Sequence, residues 1–459
     1  MGSDIDFGFI FYQLNLKFIT NYLKNFVVVK NKNANTQSFW YPLDNAAKIY
    51  PAIQTDELTN VYRLAVVLKE RVKIAHLINI IPKVEERFPY YKVTLKKGFF
   101  WYYLEQTSIP IQLLVDKNIP CRAFNQKHKE KLLFRILVRK NRISIEFSHI
   151  LTDGGGAFRF FQYLLLLYYN QEGIDVREQL DEFAIHSDAI HQEFVDSYKE
   201  YFKKDVPPNF KRPKSFHLPF PLNRKPRFDV LLAIVPIDEI KKVAQAKEVN
   251  MTVYIIALYL YVLQDIHKTL PEYNRYKKNK ILRIQVPVNL RNIYPSNTMR
   301  NFSLFVMPEI DLRLGHYTFD EIIKIVYHKI QLETDEKLIN KIIARNVGGE
   351  RKIIVKGIPL FLKSLILNYK YYSMGANQYS GVVTNIGKIN FPKAIEQKID
   401  YFILTPPPPN KKLKLNCGIA GFNNNLVLSF GNITTTKEFE KKFLNFLVQQ
   451  GVHVKLSKY

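Results

Sequence analysis

An α/β protein of two similar lobes, each a mixed β-sheet flanked by helices, is predicted by three features of the sequence. Strand and helix signals alternate through both halves, the two halves show them in a similar order, and a polar, proline-rich stretch separates them. The 459 residues also exceed the roughly 250–300 over which a single core keeps growing. Residues 1–175 are therefore expected to form the N-terminal lobe and 228–459 the C-terminal lobe. The crossover, 176–227, contains Pro207, Pro208, Pro213, Pro219, Pro221 and Pro226.

In the first half, the β-branched and apolar run Val61 to Val67 reads as a buried strand. A helix over about Lys73 to Arg87 follows, with Ile74, Leu77, Ile78, Ile81 and Val84 at helical spacing and Pro89 as its stop. Tyr91–Leu95 and Phe99–Leu104 flank the turn signal Lys96-Lys97-Gly98 and should pair as a hairpin. A second hairpin joins Leu132–Val138 to Ile143–Phe147, leaving His149 just beyond a central strand. Asp153-Gly154-Gly155-Gly156 predicts a sharp turn, because glycine accepts φ > 0 without steric penalty. A helix over Ala157–Tyr169 then leaves the turn.

The second half repeats the alternation. Phe228–Val235, Ile281–Val288, Ser303–Ile310, Gly381–Ile386, Leu413–Phe422 and Leu426–Phe430 read as strands. Ile237–Lys247, Thr252–His267, Phe319–Arg345, Ile358–Tyr372 and Lys437–Gln450 read as helices. No residue-level repeat that would support a solenoid or propeller accompanies this likeness of order.

Composition narrows the function classes. A hydrophobic fraction of 47% with 33 Phe and 28 Tyr argues for a well-packed core rather than disorder. Cys121 and Cys417 are the only cysteines and stand far apart, so neither a disulfide framework nor a cysteine-rich zinc site is expected; a reducing, cytoplasmic setting fits. Asp4 and Asp6 stand where a signal peptide needs positive charge, and the apolar stretch Phe7–Tyr12 is too short for one. No run approaches a spanning helix, so no transmembrane segment is expected, while peripheral membrane contact stays open. The net charge of +26 comes from basic residues scattered in twos and threes, as on a solvated surface; a field that attracts an anionic partner is the alternative. Without a zinc finger, RNA-binding sheet motif or phosphate-facing basic helix, nucleic acid is not the expected partner.

Chemistry points to His149-Ile150-Leu151-Thr152-Asp153-Gly154. A histidine at a strand end suits general-base work on a hydroxyl, since its ordinary pKa of about 6.5 lies close to neutrality. Asp153 has two candidate roles: orienting the imidazole, as in a triad, or turning away to pair with an arginine that stiffens the loop. Gly154 would leave room for the turn and for close approach of a ligand. The same residues would also suit a half-buried histidine followed by a plain Asp-Gly turn. A metal is not expected: the glycines argue against a helix placing His149 and Asp153 on one face, and no nearby His or Cys completes a set. His186 and His191, in the polar crossover, make a weak metal pair.

That segment, followed by a glycine-rich helix start, resembles the signature of the chloramphenicol-acetyltransferase-like, CoA-dependent acyltransferase superfamily. Tyr41-Pro42-Leu43-Asp44, Arg87-Phe88-Pro89-Tyr90, Pro287-Val288-Asn289-Leu290-Arg291 with Asn301-Phe302, and Val383-Thr384-Asn385-Ile386-Gly387 resemble its bacterial alcohol O-acetyltransferase branch. These segments span most of the chain in the order the superfamily shows. Ser148 stands where peptide condensation domains usually carry a second histidine, and the plant branch's Asp-Phe-Gly-Trp-Gly motif is absent; both departures disfavour those branches.

The resemblance implies a tunnel between the lobes, with acyl-CoA entering as co-substrate from one face, a small-molecule alcohol from the other, and no bound cofactor. On it, His149 is the general base, no acyl-enzyme forms, and Asp153 makes a structural ion pair with Arg291. Thr384, Asn385 and Asn301 are the candidates for holding the oxyanion or substrate. Acyl transfer to a lipid, sugar or carrier-bound substrate, or a catalytically silent binding protein of the same fold, is the alternative reading. Acceptor, acyl length and oligomeric state, monomer or otherwise, are left open.

Overall fold

The computed structural model describes residues 39–117, 119–124, 131–184, 187–207, 212–272 and 279–459. The stretch Phe7–Tyr12, with Asp4 and Asp6, and His186 lie outside the described residues. The strands of the first half are β1 (Trp40–Pro42), β2 (Val61–Leu68), β3 (Val93–Lys97), β4 (Tyr102–Gln106), β5 (Leu113–Val115), β6 (Phe134–Arg139) and β7 (Arg142–Ser148). Those of the second are β8 (Asp229–Pro236), β9 (Ile281–Asn289), β10 (Ser303–Val306), β11 (Glu309–Asp311), β12 (Gly381–Ile389), β13 (Ile399–Thr405), β14 (Leu415–Phe422), β15 (Asn425–Asn432) and β16 (Lys455–Lys458).

Two mixed sheets carry the fold. One runs β13-β2-β7-β6-β5; the other runs β10-β9-β12-β14-β15-β8-β16, with β11 also pairing β9. A small third sheet, β1-β4-β3, contains the expected first hairpin. β13 was not anticipated from the sequence. It lies antiparallel to β2, Leu404 opposite Leu64, so a segment from late in the chain completes the first sheet.

Alternation along the strands separates the layers. Tyr62, Leu64 and Val66 of β2 and Ile143, Ile145 and Phe147 of β7 face a core closed by helices α1 (Ile74–Arg87) and α2 (Gly154–Gln171). The opposite face brings Ala65 and Ile403 against Val230, Leu232, Ile234 and Val427 of the second sheet. Arg63 lies on that same face and is balanced by carboxylates: its Nη1 is 2.8 Å from Asp116 Oδ1, and its Nε is 2.7 Å from Glu146 Oε1. Arg142 Nη2 meets the other Asp116 oxygen at 2.7 Å, and the Tyr459 ring covers both guanidinium groups. Such pairing is what allows charge inside a dry interface. The second sheet buries its other face under helices α3 (Ile237–Gln245), α4 (Met251–Thr269), α5 (Phe319–Glu333) and α6 (Glu438–Gln449).

The expected turn at the glycines is not there. Gly154, Gly155 and Gly156 form the first turn of α2, and none of the three has positive φ. Asp153 is the N-cap, its Oδ1 accepting from the N–H groups of Gly155 and Gly156 at 3.1 Å each, which offsets the poor helix propensity of glycine. Gly156 is required for a different reason: a Cβ there would lie 2.3 Å from Thr152 Oγ1 and 2.4 Å from the Met299 carbonyl oxygen. A Cβ on Gly154 would meet nothing within 4 Å, so the space beside it is open.

Candidate active site

His149 directly follows β7, and its backbone is held from two sides. Its N–H donates to the Asn60 carbonyl at 2.9 Å, where Asn60 takes the left-handed conformation that asparagine tolerates. Its own carbonyl accepts from Asn301 Nδ2 at 3.0 Å. The imidazole lies between two tyrosine rings, with centroids 4.4 Å from Tyr62 and 5.4 Å from Tyr50. The residue is half-buried rather than sealed. Nδ1 is buried without a hydrogen-bond partner among the described residues. Burial pushes the ring's pKa down to about 4, against the upward pull of the Asp153 charge. The imidazole is therefore neutral at pH 7 and able to take a proton.

Asp153 is turned away from that ring. Oδ1 caps α2, while Oδ2 accepts from the Phe302 N–H at 2.7 Å and from Arg291 Nη1 at 3.0 Å. Burial alone would raise its pKa, but the Arg291 charge and these hydrogen bonds outweigh that and hold it below the usual carboxylate range. Arg291 follows β9 in a short turn capped by Asn289. Its Nε donates to the Thr298 carbonyl at 2.9 Å, its Nη2 to the Arg300 carbonyl at 2.5 Å, and its Nη1 also to Asn289 Oδ1 at 3.0 Å. Four of the five guanidinium N–H groups are thus used within the protein, and residues 289–302 of the second half are thereby fastened to 149–156 of the first.

Asn301 Nδ2 donates to Asp44 Oδ2 at 2.9 Å as well as to the His149 carbonyl, and the side chain is buried, so it supports the histidine backbone. Asp44 in turn accepts from the Ala47 N–H at 2.7 Å and lies 3.5 Å from Arg300 Nε. Burial raises the Asp44 carboxyl above its ordinary range, and Arg300 opposes the rise. Thr384 and Asn385 lie on β12, and neither hydrogen-bonds to the His149 cluster among the described residues. Asn385 is committed elsewhere: Nδ2 donates to Thr252 Oγ1 at 3.0 Å, and Oδ1 accepts from the Gly387 N–H at 2.8 Å. Thr384 is half-buried on the face opposite the buried Val383, which keeps it a candidate donor.

Sequence reading overlooked the two tyrosines and the part played by Asp44 and Arg300. Tyr62 lies opposite Phe147 in the β2–β7 ladder, and its hydroxyl donates to the Asp153 carbonyl at 2.7 Å, roofing the histidine loop. Only the pairing of β2 with β7, some 80 residues apart, could have revealed it. Asp44 belongs to the Tyr41-Pro42-Leu43-Asp44 segment already singled out for its resemblance, which was the available signal. Among the described residues no group of three or more His, Cys, Asp or Glu side chains is arranged to hold a metal ion, and both cysteines are buried and unpaired.

No protein-family model matches the chain, and no curated protein sequence matches it. Solved structures do. TRI101 of F. graminearum, complexed with coenzyme A and deoxynivalenol, superposes with a TM-score of 0.62 at 7% identity, over 91% of this chain and 99% of that one. TRI101 of F. sporotrichioides, complexed with coenzyme A and T-2, gives 0.59 at 8% identity over the same shares. The condensation domain of the monacolin K polyketide synthase MokA gives 0.53 at 11% identity, over 90% and 97%. Together with the two mixed sheets and the His149 loop where the halves meet, these likenesses give the chain the two-lobed fold of the CoA-dependent acyltransferases.

Proposed function

We propose that the protein is an O-acyltransferase that moves an acetyl or other short acyl group from acyl-CoA to an alcohol hydroxyl. The observation that carries the reading is a half-buried His149 at the junction of the two halves, its ring beside those of Tyr50 and Tyr62 and held neutral at pH 7 by burial. In this mechanism Nε2 removes the hydroxyl proton as the alcohol oxygen attacks the thioester carbonyl. The resulting tetrahedral oxyanion takes a hydrogen bond from Thr384. Its collapse breaks the carbon–sulfur bond, and the departing CoA sulfur receives the proton from the imidazolium. The ester and free CoA leave, and no acyl group is ever attached to the protein. Asp153 and Arg291 hold the loop; they take no part in proton transfer.

Several supports converge. The TRI101 structures that share this fold are complexes with coenzyme A and T-2 or deoxynivalenol. Ser148 in place of a second histidine fits transfer from CoA to an alcohol better than peptide condensation. The deciding experiment incubates the protein with acetyl-CoA and a panel of alcohols, following free thiol and product mass. His149→Ala, with its melting curve unchanged, should lose ester formation altogether. Turnover retained by the folded variant would sink the proposal, and turnover only with carrier-bound acyl donors would reassign the co-substrate.

A further inference from the structure

A helix packed on a protein in water ordinarily turns its apolar side inward. Helix Leu360–Lys370 does the reverse. Its outward positions are Phe361, Leu362, Leu365, Ile366 and Tyr369, which are 63%, 42%, 67%, 43% and 74% exposed. The inward side carries Lys363, Ser364 and Asn368. Lys363 is buried, its Nζ donating to the carbonyls of Phe100 and Lys356 at 3.1 and 3.2 Å and lying 3.8 Å from the centre of a Trp101 ring. The tip of the β3–β4 hairpin extends the apolar face. Phe99 is 72% exposed there, and its carbonyl accepts from the Leu360 N–H at 2.9 Å.

The exposed charges on the segments that build this face are basic. No Asp or Glu occurs between Glu350 and Glu396, whereas Lys352, Lys356 and Lys370 are exposed beside the helix and Lys97 is exposed beside the hairpin tip. A second copy of the chain would bring the same basic rim and be repelled by it. An anionic lipid surface complements both features, taking apolar and aromatic side chains at its headgroup boundary and lysines at its phosphates. The helix, at 11 residues, is too short to cross a bilayer, and no described helix is long and apolar enough to do so. Its inner side adjoins Tyr50–Ile53, Asn368 Nδ2 lying 3.5 Å from the Ala52 carbonyl, and Tyr50 is the ring stacked on His149.

We propose that helix Leu360–Lys370, with Phe99, seats the protein on an anionic lipid surface, its apolar side chains entering the headgroup boundary and Lys97, Lys352, Lys356 and Lys370 meeting the phosphates. The test needs no catalysis. The full chain is sedimented with vesicles of phosphatidylcholine alone and of phosphatidylcholine with phosphatidylserine, at low and high salt. Binding to the anionic vesicles should exceed binding to the neutral ones by about tenfold and fall as salt rises. The double variant Phe361→Asp with Leu365→Asp, both side chains being exposed, should keep its melting temperature and lose about tenfold or more of that binding. Lys352→Glu with Lys356→Glu should lose the preference for anionic vesicles without altering the apolar face. Absent binding by the native chain, or equal binding by the variants, would overturn the proposal. So would a dimer in sedimentation velocity that the Phe361/Leu365 variant converts to monomer, which would make a second copy the occupant.

Discussion

Replacing Asp153 by Asn separates the two roles a carboxylate beside a catalytic histidine can have. Asparagine keeps an oxygen to cap α2 but puts an amide donor where Oδ2 accepts from Phe302 N–H and Arg291 Nη1. Two donors then face a third, and a buried guanidinium loses its counter-charge. Breaking a buried pair from one side costs about 3–5 kcal/mol. For a chain of 459 residues, whose unfolding entropy is near 1 kcal/mol/K, that corresponds to about 3–5 °C in melting temperature. Asp153→Ala should lose about 1 kcal/mol more, because the cap goes too. Arg291→Met in the Asp153→Asn background should cost less than the two single losses added, since the unpaired charge is removed. The Asp153 contribution has a defined pH window: its folded pKa is depressed, so the stabilisation is present above the unfolded value near 3.8 and is lost as pH falls through the folded one. Denaturant melts and kcat are measured on the same preparations. The reasoning fails if Asp153→Asn melts with the native protein while kcat collapses, for the carboxylate would then be acting on the imidazole itself.

Three further outcomes are expected. With His149 held down to about 4, kcat/KM should keep its plateau to well below pH 6.5 and fall only near 4; an acid limb at 6.5 would show an ordinary, solvated imidazole. The same depression means the unfolded chain binds the proton first, so the His149 contribution to stability is complete above about 6.5 and declines toward pH 4, a decline that His149→Gln should lessen. Gly156→Ala should fail to fold or lose at least about 3 kcal/mol, since its methyl would overlap Thr152 and the Met299 carbonyl, whereas Gly154→Ala should leave melting unchanged; activity lost in the latter variant alone would mark Gly154 as the point of close substrate approach. Thr384→Val should lower kcat by about 10²-fold with little change in KM if its hydroxyl holds the oxyanion, and parity with the native rate would remove it from the site.

The parts of this molecule that were legible in the sequence are those encoded locally. The β6–β7 hairpin turns through residues adjacent in the chain, so the position of His149 at a strand end follows from the apolar runs and the polar turn between them. The turn expected at Gly154-Gly155-Gly156 was misjudged because three glycines argue for one, while the opposing signal, an aspartate placed to cap a helix, gains its full strength only when Arg291 and Phe302 arrive from the other half. Asn301 belongs to a recognisable segment, yet its direction is set by Asp44, more than 250 residues away. The helix at 360–370 was readable as a helix. Which of its sides meets water was not, because Trp101 and Phe100, from a distant hairpin, decide that Lys363 lies inward.

β13 has a consequence for how the chain is made. Until residue 405 has been synthesised, β2 stands as an open edge, its Leu64 and Val66 backbone groups unpaired on one side and β-rich neighbours beside it. A ribosome would have to finish most of the polypeptide before that edge could be closed, so the early portion waits in a sticky state and depends on slow, long-range pairing. Cutting the gene at the crossover would thus yield an aggregation-prone fragment; a split placed after 405 would not expose that edge.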